Sequence, residues 1–168
     1  SDQSRRTLPY TVRADGSGKP VPFAVPDTAQ VDEIELAPGG AWIVYRRGTV
    51  NGNRRLAMFR PGVDSTPTEI STGRFDEYAP TISPDGRFAI AWTDVTRVTR
   101  PDVIEGFQQI SIIDLEDATA PTRVPVRTVG FRPSSLTFAA NPPRAFAVTE
   151  DGITVVDLST PRDPRVLR

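Results

Sequence analysis

Three acidic residues crowd one short stretch, Asp32, Glu33 and Glu35, and carboxylates this close together are what general acid–base hydrolysis or a hard cation requires. Their spacing is not that of a calcium loop. The interleaved Val31, Ile34 and Leu36 give Glu33 and Glu35 the alternation of a strand's solvent face, so they are assigned to solvated strand charge, with no metal and no cofactor. A second polar set is denser: Arg97, Arg100, Asp102 and Glu105 share one connection, and Arg74, Asp76 and Glu77 share the loop region before it. The planar arginine fork matches carboxylate and phosphate, which makes these seven residues the candidate partner-binding set. Trp42, Tyr45, Phe59, Phe88 and Trp92 are of types that stack on sugars or single-stranded nucleic acid. Each has apolar neighbours at strand spacing, however, and this assigns them to core. Ser83 has no base beside it and receives no nucleophilic role.

Cysteine and histidine are both absent. That removes thiol nucleophiles, disulfides, Cys/His zinc sites and any Ser-His-Asp triad built within the chain. With 20 Lys+Arg against 21 Asp+Glu, the formal charge of -1 offers no global field to draw nucleic acid or an anionic membrane. No apolar run approaches the ~18 residues of a membrane helix, and no signal-peptide pattern opens the chain. It starts on Ser1 rather than Met, as a processed or excised segment would.

The elements that must position these residues follow from turns and β-formers. Asp85-Gly86 lies between two runs of β-formers, a hairpin signal that predicts a type I′ turn with positive φ at both residues. The pattern recurs on both sides. Residues 1–6 have no apolar period and are expected to be a frayed or linker end. Residues 7–25 suggest two short strands about a Gly-rich turn, the remainder of a leading repeat. Residues 31–72 carry four strands, divided by Pro38-Gly39-Gly40, Asn51-Gly52-Asn53 and Pro61-Gly62. Residues 74–126 repeat the plan, with Pro84 aligned on Pro38, Phe88 on Trp42 and Ile90 on Val44, and with a long connection from Asp94 to Phe107. Residues 127–168 form a third copy, turning at Asn141-Pro142-Pro143 and at Asp151-Gly152. No segment has a helical period, and proline is spread too evenly for long helices.

An all-β chain with four strands in each period of about 42 to 53 residues has the pattern of β-propeller blades. The two-sheet β-sandwich is the alternative architecture. The segment Ala79-Pro80-Thr81-Ile82-Ser83-Pro84-Asp85-Gly86, with Trp92 six residues on, resembles the hairpin of the TolB-like, WD-repeat-like bacterial β-propellers. Gly152 to Pro161 is similar to their third-strand segment. The resemblance implies about three blades plus a partial leading one, short of the roughly four to eight that close a ring. A piece of a longer propeller, two chains completing each other, or terminal segments closing a four-bladed ring would each account for this. It also implies that loops 48–53, 72–78, 94–107 and 126–134 form one rim. The function it implies is a non-catalytic protein-binding or scaffold module, periplasmic or at a cell surface, without nucleic acid and without a membrane span. The alternatives are a propeller accessory to a serine peptidase encoded elsewhere, or a propeller that binds a small ligand or sugar.

Overall fold

The computed structural model describes residues 9–26, 29–48, 54–71, 76–94, 109–117, 122–127, 133–160 and 163–167. Strands β1 (Tyr10–Thr11) and β2 (Val21–Pro22) pair as a short antiparallel hairpin. Three four-stranded sheets follow. The first holds β3 (Gln30–Leu36), β4 (Ile43–Gly48), β5 (Arg55–Phe59) and β6 (Thr68–Glu69). The second holds β7 (Asp76–Ile82), β8 (Phe88–Asp94), β9 (Gln109–Asp114) and β10 (Thr122–Arg127), and the third β11 (Ser135–Ala139), β12 (Arg144–Thr149), β13 (Gly152–Asp157) and β14 (Arg165–Leu167). Each sheet is an antiparallel meander in which every strand pairs with its neighbour in sequence. The two-sheet sandwich is thereby excluded, because these strands divide among four sheets, each built from a contiguous stretch.

Side chains alternate across each strand, and the sheets stack on the two faces this produces. Val44, Leu56 and Met58 of the first sheet meet Ala89, Ala91 and Ile113 of the second. On the opposite face of the second sheet, Phe88, Ile90, Ile110 and Ile112 meet Ala145, Ala147, Val156 and Leu158 of the third. A sheet covered on both sides has no solvent face, which is why β8 and β9 read as nearly unbroken apolar runs. The other face of the first sheet, with Val31, Ile43, Tyr45, Ala57 and Phe59, is covered by Phe23 and Val25 from the leading segment. Tyr45 meets Phe59 edge-on, their ring centres 5.9 Å apart. Tyr45, Phe59, Phe88 and Trp92 are buried and Trp42 packs against the first core, as their apolar neighbours suggest. Between sheets the closest backbone approaches all run through first strands: β7 lies against β3, β4 and β5, and β11 against β7 and β8.

The hairpin at Ser83 closes differently from the type I′ turn expected. Gly86 N donates to Ser83 O at 2.8 Å, and only Gly86 has positive φ, at 73°. Pro84 thus occupies the first central position, where its fixed φ suits a type I turn, and glycine follows the turn. The Ser83 hydroxyl locks the corner, donating to Asp85 Oδ1 at 2.5 Å and accepting from Phe88 N at 2.8 Å. Burial opposes ionisation of Asp85, but the Ser83 hydroxyl and Arg87 N–H outweigh it and hold the carboxyl below its ordinary value. In the first sheet the matching bond, Gly40 N to Ala37 O, is also 2.8 Å, with Gly39 at φ 77° and ψ 0° as a type II turn demands. Ala37 N donates to Trp42 O at 2.9 Å and Ser83 N donates to Phe88 O at 2.8 Å, so the two corners close on equivalent residues.

Replacing Gly86 with Val should destabilise the fold by more than about 1 kcal/mol, because a β-branched residue is forced to positive φ. Chemical denaturation reads this directly. An unchanged midpoint would contradict the turn.

Candidate functional site

The polar residues of this protein converge where β4 and β8 end and β5, β7 and β9 begin. Two β-bulges bring them there. In β3 the ladder shifts between Asp32 and Glu35, and in β7 between Tyr78 and Thr81. Each bulge holds a non-glycine residue at positive φ, Glu33 at 49° and Ala79 at 47°. The two bulges touch, Ala79 N donating to Glu33 Oε2 at 2.7 Å. Counted back from the turn, an unbroken ladder would set Glu33 opposite Arg46; the bulge sets Asp32 there instead.

Arg46 is the hub of the cluster. Its Nε donates to Asp32 Oδ1 at 2.6 Å and its Nη2 to Asp32 Oδ2 at 3.1 Å, a bidentate pair, while Nη1 lies 3.1 Å from Glu33 Oε1. The guanidinium carbon lies 4.7 Å from the centre of the Tyr78 ring on the next sheet, and Tyr78 packs in turn on Trp92 at 4.9 Å. Burial alone would lower the Arg46 pKa, but its hydrogen bonds to Asp32 and the charges of Glu33 and Asp32 raise it, so the guanidinium stays charged. Arg54 extends the network, its Nη1 donating to Asp32 Oδ2 at 2.6 Å and its backbone N to Asp76 Oδ1 at 2.6 Å. Tyr78 OH donates to Asp76 Oδ2 at 3.3 Å, and Glu77 N to Arg54 O at 3.1 Å. The result is a charged seam that joins the first two sheets.

Asp76 and Glu77 were expected on a rim loop; both belong to β7 and are buried, at 4% and 1% exposure. The strand starts at Asp76, and its first two residues, pointing to opposite faces of the sheet, are both withdrawn from solvent. Arg74, Arg97, Arg100, Asp102 and Glu105 lie outside the described residues. The solvent-face reading holds for Glu33, which is exposed, and needs correction for Glu35. The bulge breaks their alternation: Glu33 is ion-paired with Arg46, while Glu35 stands opposite Val44 on the face toward the second sheet. Burial pushes the Glu35 carboxyl above its ordinary value. The partnership of Asp32 with Arg46 and Arg54 escaped sequence reasoning. The one signal for it was an arginine following the apolar run Ile43-Val44-Tyr45, where a strand still inside the core needs a counter-charge.

No protein-family profile matches the chain, and no curated protein matches it. Solved structures do. A functionally unknown protein from Desulfotomaculum acetoxidans matches with a TM-score of 0.63 at 16% identity, over 89% of this chain and 45% of that one. The chain thus spans less than half the length of that relative. The likeness is one of fold. The tricorn protease aligns over 95% of this chain and 24% of its own, at 12% identity and a TM-score of 0.38.

Arg46→Met should cost about 2 kcal/mol, since it removes a buried guanidinium that makes the bidentate pair with Asp32, which keeps only Arg54, and the ion pair with Glu33. The same change at Arg60, whose pair with Asp64 stands in solvent, should leave the denaturation midpoint nearly unmoved. Glu35 supplies a pH test. A carboxyl raised in the folded state contributes stability that is present below its ordinary range, about 4.3, and lost as the pH rises through the raised value. Glu35→Gln should therefore raise the melting temperature at neutral pH and leave it unchanged in acid. An equal effect at both would show that Glu35 is not desolvated.

Proposed function

We propose that this chain is a segment of a β-propeller acting as a non-catalytic protein-binding or scaffold module, in a bacterial periplasm or at a cell surface, with its contact surface at the end where the seam lies. The succession of four-stranded meanders stacked face to face, with first strands in closest approach, supports the propeller. The observation that carries the functional half is the seam itself. Its acids are engaged in hydrogen bonds and ion pairs within the protein: Asp32 and Glu33 with Arg46, Asp76 with the Arg54 backbone. A general acid–base pair needs groups free to exchange a proton with substrate, and these are tied into structure. Ser83, buried with its hydroxyl committed to Asp85 and Phe88 N, has no base, and the chain has no histidine to supply one.

On this reading the seam is a foundation and the connections that leave from it carry the recognition, with Arg74, Arg97, Arg100, Asp102 and Glu105 as the contact residues and Asp76 and Glu77 anchoring them from the strand. Loops set on a rigid sheet edge are a common place for such contacts. Among the described residues no helix is long and apolar enough to cross a membrane.

A photo-crosslinking residue placed at Arg100 or Glu105 should capture one defined protein from the source cell, and the same residue at Pro84, at the opposite end of the sheets, should not. Equal capture from both ends, or labelling of the chain by a serine-hydrolase probe, would overturn the proposal.

A further inference from the structure

We draw no further inference here: the strongest candidate, the small apolar cleft between the Ser83 corner and the third sheet, lined by Phe88, Phe138, Pro143 and Leu158, has room for little more than one water-sized group, and nothing in the structure shows what covers it.

Discussion

A four-stranded meander has two faces and cannot bury both by itself, and the rest of this structure answers to that constraint. The second sheet meets it fully. Ala89 and Ala91 press on Leu56 and Met58 from one side, while Phe88 and Ile90 press on Ala145 and Ala147 from the other. Pairing small residues with large ones lets neighbouring sheets approach to interior packing density. Residues that an isolated sheet would expose, such as Ile110, Ile112 and Ile113, become the best-buried side chains of the protein. The strand pattern, the aromatic positions and the short corners follow from holding each meander in register with the next.

Stacking apolar faces fixes how far apart the sheets lie but does little to fix how one slides against another. The seam adds that direction. A bidentate Asp32–Arg46 pair, the Arg46–Tyr78 stack and the bulge-to-bulge bond from Ala79 N to Glu33 impose angles and distances that methyl groups do not. Ion pairs that are half-buried, as these are, bring modest net stability, since desolvation of Arg46 offsets part of the attraction. Their weight falls on alignment at the end of the sheets from which the longest connection departs. A sheet edge held in one alignment is what the proposed binding role requires of the connections that leave it.

The same seam restrains claims of chemistry. Clustered acids and arginines resemble an active site when read as a list, and here three of the acids are spoken for within the protein: Asp32 by two arginines, Glu33 by Arg46 and a backbone amide, Asp76 by the Arg54 amide and Tyr78. The corner residue Ser83 shows this at smaller scale, its hydroxyl holding the turn that precedes Phe88. Carboxylates that stabilise one geometry through several bonds are poor proton shuttles.

Much of the fold was legible from the order of residues alone. Glycine and proline at the corners and apolar residues at alternate positions are local signals, and they located most strands to within a residue or two and aligned Trp42 with Phe88, although β4 runs three residues beyond the apolar run that ends at Tyr45 and so takes in Arg46. The turn at Ser83 was placed correctly and typed wrongly, because Asp-Gly suits either geometry and Pro84 at the first central position decides between them. The seam was hidden for a different reason. Glu33 and Ala79 are not residues that announce positive φ, and the bulges they occupy form where two sheets meet, so only the neighbouring sheet explains them. A shift of one residue puts Asp32 rather than Glu33 against Arg46 and draws Asp76 and Glu77 into the interior. Sequence by itself determined that this chain makes meanders, since hairpins depend on neighbours in the chain. Tertiary structure alone decided which charges pair and which apolar faces are covered, because both depend on contacts between residues some tens of positions apart.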